Sequence, residues 1–212
     1  MLVSKLRNYL EPLLILTLSI LIFATIYNIY LLQGTARVVN YTGLVRGATQ
    51  RAVKLEIAGS PNDRLIEKLD DILAGLQNGG GKYELVQLDD VKYRDDLTEL
   101  AKYWQELKKE IAKSREGYYA NTQLLPMSEN YFVLADQLVS DAEVYSQKIA
   151  DRLQLLEFCM IANVVALLII LAIYQLQSSR MQSKYKKLSA TAYVDVQTGL
   201  ANKSSCEKKL RD

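Results

Sequence analysis

The stretch Phe158–Leu176, FCMIANVVALLIILAIYQL, decides how the rest of the chain is read. It carries no charge and is close to the ~20 apolar residues a helix needs to cross a hydrocarbon core. At about −0.3 to −0.6 kcal/mol for each central Leu, Ile, Val or Phe, insertion is favoured by several kcal/mol. Four basic residues follow it, Arg180, Lys184, Lys186 and Lys187. Before it, Tyr131, Ala135, Leu138, Ala142, Tyr145, Ile149 and Leu153 recur at helical spacing from about Ser128 onward. The spacing therefore predicts one helix that enters the membrane from a water-exposed region.

A second apolar stretch lies near the start of the 212 residues: PLLILTLSILIFATIYNIYLL, residues 12–32. A basic segment with Lys5 and Arg7 precedes it, as in a signal peptide, but the run is longer than a typical h-region and no small-residue cleavage pattern follows. It reads as a retained anchor, with Pro12 near the helix start. Basic residues flank both spans on their outer-sequence sides. By the positive-inside rule both termini are cytoplasmic and residues 33–157 are extracytoplasmic, in a multi-pass protein of the cell membrane.

Residues 33–157 predict four amphipathic helices. The first runs to about Ala58, with a core stripe of Tyr41, Leu44, Ala48, Ala52 and Leu55 and a second seam of Val39, Gly43, Arg46, Gln50 and Val53. The next begins at a Ser60 cap, buries Leu65, Leu69, Ile72 and Leu76, and stops at Asn78-Gly79-Gly80-Gly81. The third runs from about Asp90 to Glu116 with Tyr93, Leu97, Leu100, Trp104, Leu107 and Ile111 on one side. Gly117–Pro126 is a loop carrying Tyr118 and Tyr119, and Tyr83–Leu88 is open between extended and irregular. Such seams joined by short connections describe an antiparallel four-helix bundle. The fold class is thus an all-α membrane protein: two transmembrane helices (12–32 and 158–176) flank the bundle, a short cytoplasmic segment (1–11) precedes it, and a helical linker (177–193) follows.

Net charge is only +2, so no nucleic-acid partner is expected. There is no histidine, which removes a phosphoacceptor histidine and imidazole acid–base or metal chemistry. Cys159 and Cys206 fall at different depths, so no disulfide is expected. The lipid bilayer is the first partner. Asn163, inside the second span, is expected to hydrogen-bond across a helix pair, as in a homodimer.

Arg46 and Gln50 lie one turn apart beside Gly43 and Gly47. If two copies of this helix met, two guanidinium groups would converge and call for an anion between them. The pattern Asn40-x-x-Gly43-x-x-Arg46, then Gln50-Arg51 and Lys54-Leu55, resembles the helix-one box of NarX-type and type IV pilus chemotaxis sensor domains. That resemblance implies a dimer-interface site for a small anion formed by Gly43 and Arg46, and Gln50 joins them as a ligand-binding candidate. The alternative is that the glycines only permit tight packing and Arg46 points to solvent or pairs with an acidic neighbour.

Beyond the second span, Met181, Tyr185, Leu188 and Ala192 form a short coiled-coil seam. Asp195, Thr198, Gly199, Leu200 and Asn202 then fall in register with the D-x-L-T-G-L-x-N-R opening of GGDEF domains, with Gln197 and Lys203 departing from the pattern. Residues 194–212 thus resemble the start of an α/β GGDEF domain. The resemblance implies cyclic di-GMP synthesis from GTP with Mg²⁺ in an intact domain. The family's catalytic carboxylates lie downstream, so no catalytic residue and no cofactor is expected within these 212 residues. The function expected is a transmembrane sensor coupling a small extracytoplasmic ligand to a GGDEF output. A chemoreceptor-type or purely structural membrane bundle is the alternative, although Thr198-Gly199 interrupts the heptads early for a chemoreceptor.

Overall fold

The computed structural model describes residues 2–118, 122–193, 195, 198, 200 and 202, with the side chains of 2–8, 118 and 189–193 outside that description. Its elements are α1 (Leu2–Ile57), α2 (Asp63–Asn78), α3 (Val91–Lys113) and α4 (Leu124–Tyr193), with a π turn at Ser114–Tyr118 after α3. Among the described residues there is no strand. Tyr83–Leu88 is irregular, tied by a single antiparallel bridge between Gly80 and Leu85. The chain divides into two units, Phe23–Glu157 and the terminal pair Met1–Ile22 with Phe158–Asp212.

In the unit Phe23–Glu157, α1, α2, α3 and α4 all contribute to one hydrophobic core. The α3 stripe is buried as its spacing predicts: Tyr93, Leu97, Leu100, Trp104, Leu107 and Ile111. So are Leu69, Ile72 and Leu76 of α2, and Tyr131, Ala135, Leu138, Ala142 and Ile149 of α4. Burying Leu or Ile in this way contributes about 1.5–3 kcal/mol per side chain.

The α1 face differs from expectation. Its buried seam is Thr35, Val38, Thr42, Val45, Thr49, Ala52 and Glu56, while Tyr41, Leu44 and Ala48 are only partly buried beside it. The physical reason is that a helical threonine can return its hydroxyl proton to the preceding turn and present its methyl to the core. Thr35 donates to Leu31 O and Thr42 to Val38 O, each at 2.8 Å. These threonines therefore act as apolar residues in a strict heptad.

Several boundaries also move. Asn62, not Ser60, caps α2, accepting Leu65 N–H at 3.0 Å. Pro61 and Ser60 belong to the turn, where Ser60 N–H reaches Leu55 O and Gly59 takes the left-handed φ of 68° that favours glycine. Asp90 caps α3 through Tyr93 N–H. The third helix stops at Lys113, and α4 starts at Leu124, so Pro126 sits in its first turn and not in a loop. At the other end of the chain α1 begins at Leu2, which places Pro12 inside the helix.

α1 and α4 each contain a stretch long and apolar enough to cross a membrane, and neither stretch is buried in the protein. Ile15, Leu16 and Ile20 of α1 and Ile161, Leu168 and Leu171 of α4 stand exposed. Asn163 does find a hydroxyl partner, but within its own chain: its Nδ2 donates to Thr17 Oγ1 at 2.7 Å. The helix pair it crosses is α1 and α4.

One ion network closes the Phe23–Glu157 unit at the turn after α3. Glu56, almost wholly buried, is held by Arg115 through Nε at 2.9 Å and Nη2 at 2.5 Å, and Arg115 also reaches Asp63 at 2.8 Å. These contacts, Glu56 first, raise the guanidinium pKa against the opposing effect of burial. Arg115→Ala leaves a buried carboxylate without its cation, so it should lower the unfolding free energy by about 3 kcal/mol. Arg115→Lys, which keeps the charge but loses the fork, should recover part of that in denaturant titration.

Candidate functional site

Of the three residues singled out by the sequence, Gly43, Arg46 and Gln50, the last two contact α4. The helical register sets them beside one another because Val45, Thr49 and Ala52 turn inward. Arg46 Nη1 is paired with Asp136 Oδ1 of α4. Its guanidinium also lies over the Phe132 ring, 5.6 Å from the centroid. Gln50 Nε2 donates to Ser128 O at 2.8 Å. A Cβ built at Gly43 or at Gly47 would meet nothing within 4 Å. Within the chain these glycines therefore mark open space. The close approach lies instead at Gly34, where a Cβ would sit 2.9 Å from both Val86 methyls.

So Arg46 and Gln50 both tie α1 to α4. The Arg46 and Asp136 side chains are 36% and 57% exposed, which keeps the pair in the class of exposed ion pairs worth at most about 1 kcal/mol. An anion of sufficient affinity can compete with Asp136 for that guanidinium.

Behind this face lies a column of buried polar groups, a feature that sequence spacing alone missed. Thr42 Oγ1 lies 3.4 Å from the Tyr93 hydroxyl. One heptad on, Thr49 lies beside Tyr131, although neither hydroxyl has a partner at hydrogen-bonding distance. Next to Tyr131 is the Trp104 ring, centroids 5.9 Å apart. Trp104 Nε1 donates to Asp70 Oδ1 at 2.7 Å, and Lys108 Nζ reaches both Asp70 oxygens at 2.8 and 3.0 Å. The signal that could have found the column is the seven-residue recurrence of threonine at positions 35, 42 and 49.

On the opposite flank Lys92 of α3 bridges Asp141 of α4 at 2.5 Å and Asp96 at 3.4 Å. The Lys92 ammonium pKa is raised by the bond to Asp141. Burial holds the Asp96 carboxyl above its ordinary range. For Asp141 burial pushes upward, but its neighbour Asp96, which takes up a proton first, and the hydrogen bonds from Lys92 and Gln137 outweigh it, and the carboxyl sits below its ordinary range. This arrangement fastens α3 to α4.

Past α4, the Asp195 carboxylate accepts both the Thr198 N–H and the Thr198 hydroxyl at 2.9 Å, and Asp195 N–H donates to Leu200 O at 2.8 Å. Gln197, Gly199, Lys203 and Cys206 lie outside the described residues, as does Tyr119. No group of His, Cys, Asp or Glu among the described residues is placed to hold a metal ion. Comparison of the chain with protein-family models, curated proteins and solved structures finds no match.

The column gives the unit a defined response to alkali. Burial pushes the Tyr93 phenol up to about 12, with Thr42 opposing, and burial raises Tyr131 as well. A phenol whose folded pKa exceeds its unfolded value stabilises the fold fully below the unfolded pKa, and that contribution is lost as pH rises through the folded one. Unfolding free energy should therefore fall between about pH 10 and 12, by up to about 1.4 kcal/mol per pH unit for each phenol. Tyr93→Phe should flatten the loss, as read by urea melts across that range.

Proposed function

We propose that this chain is a membrane signal sensor. In this reading two transmembrane helices place residues 33–157 outside as an antiparallel four-helix bundle, both termini are cytoplasmic, and a homodimer couples ligand binding to a GGDEF-type output that begins at residue 194. GTP and Mg²⁺ belong to that output domain, downstream of the residues present here. The small extracytoplasmic ligand, an anion in the first instance, would sit on Gly43, Arg46 and Gln50 and draw Arg46 away from Asp136. Exchange of that ion pair would then alter how α1 holds α4.

The observation that carries the proposal is α4 itself. One helix from Leu124 to Tyr193 holds core residues of the Phe23–Glu157 unit, the apolar stretch and the basic residues after it. A shift or rotation imposed on Tyr131 or Leu138 is thus applied to the same backbone that reaches the linker. The linker seam is open for a partner: Met181, Tyr185 and Leu188 are all exposed. The Asp195–Thr198 turn, falling where the GGDEF-like motif lies, adds support for a junction after the helix.

Protease applied to the outer face of intact cells or spheroplasts tests the arrangement. Cleavage within residues 33–157, with a C-terminal tag protected until the membrane is breached, is the expected result. A tag lost from intact cells while residues 33–157 stay whole would overturn it.

A further inference from the structure

A cleft on the Phe23–Glu157 unit, remote from Arg46 in sequence and lined by different helices, has the chemistry of a second ligand site. It lies between the C-terminal end of α2, the segment 87–88 and the first turns of α3, and encloses about 230 Å³. Leu76, Leu88 and Leu97 form its floor but are almost wholly buried, so the surface it exposes is mainly polar. The loop that forms one wall is fixed in place. Gly80 and Leu85 exchange two backbone hydrogen bonds at 2.6 and 3.0 Å, and Leu85 and Leu88 are buried as plugs.

The polar groups around that floor are sorted by what they have already spent. Gln87 Nε2 donates to Gln77 O, Asn78 Nδ2 to Ala74 O and the Thr98 hydroxyl to Arg94 O. All three residues line the cleft, and each side-chain oxygen keeps its capacity to accept. Arg94 is the one cation in the lining, and it makes no ion pair among the described residues. The lining contains no carboxylate. One guanidinium and several acceptors around a small, mainly polar cleft fit a small carboxylate that also carries hydrogen-bond donors.

We propose that this cleft binds a small α-substituted carboxylic acid, an amino or hydroxy acid, with the carboxylate on Arg94 and the α-amino or α-hydroxyl group among the oxygens of Asn78, Gln87 and Thr98. The inner wall gives it a route to α1. Tyr93 lines the cleft and its hydroxyl meets Thr42, in the middle of the α1 heptad. Occupancy that shifts the first turns of α3 therefore bears on α1 directly, without Arg46.

The test is calorimetric titration of the full chain in nanodiscs against the aliphatic L-amino acids and L-lactate, with acetate and inorganic phosphate as anions that lack the α-donor. Saturable binding of at least one amino or hydroxy acid is expected, with acetate and phosphate markedly weaker. Arg94→Ala, an exposed change, should weaken that binding about tenfold or more. Thr98→Val should weaken it for the α-substituted acids only, and Arg46→Ala should leave it unchanged. Three results overturn the proposal: no binding of any of these acids, binding indifferent to Arg94→Ala, or binding lost in Arg46→Ala and kept in Arg94→Ala. None of them depends on which side of a membrane the unit faces.

Discussion

The burial of Trp104 is the constraint that the Phe23–Glu157 unit depends on. An indole cannot go into a core with its N–H unpaired without a cost of about 1–3 kcal/mol. Here the N–H goes to Asp70, the carboxylate is neutralised by Lys108, and the Lys108 ammonium lies 5.8 Å from the centre of the same indole ring. Asp70 is on α2, Trp104 and Lys108 on α3, and the Tyr131 ring against the indole on α4. Thr49, next to Tyr131, brings in α1. One satisfied side chain thus fixes four helical segments, and the leucines around it fill the remaining volume.

Polar pairs at the edges of that core set register where leucine packing would tolerate sliding. Arg115 with Glu56 and Asp63 ties the turn after α3 to α1 and to the first residue of α2. Lys92 with Asp141 and Lys148 with Asp90 join α3 to α4. Arg46 with Asp136 and Gln50 with Ser128 join α1 to α4. The Arg46–Asp136 pair, with both side chains partly exposed, costs little to exchange, which is the property a responsive contact needs. In the terminal unit one hydrogen bond, from Asn163 to Thr17, joins α4 to α1.

Much of this was legible in the sequence because large apolar residues announce their own face. The α3 stripe from Tyr93 to Ile111 repeats at alternating four and three, and every member is buried. The α1 face was misread because threonine counts as polar until its hydroxyl is seen, as at Thr35 and Thr42, to bond its own helix. Thr35, Thr42 and Thr49 are buried at seven-residue spacing, and Tyr41 and Leu44, which looked like core, flank them. Ser60 and Asn62 both suit a cap, and only the path of the chain through Gly59 and Pro61 chooses Asn62. Arg46 was legible as a charge on a glycine-rich face, but its partner Asp136 is ninety residues away and no local pattern names it. The cleft at Arg94 was illegible for the same reason: Asn78, Gln87 and Thr98 converge only once the 79–88 segment has folded back on Leu85.

Trp104 is the only tryptophan in the chain, so its emission reports this core without competition. In the full chain in detergent or nanodiscs, a blue-shifted spectrum barely quenched by iodide, turning red and quenchable only on cooperative unfolding, is the result this account predicts. A red, readily quenched spectrum from the folded chain would contradict it, and with it the packing of four helical segments on which the sensor proposal rests.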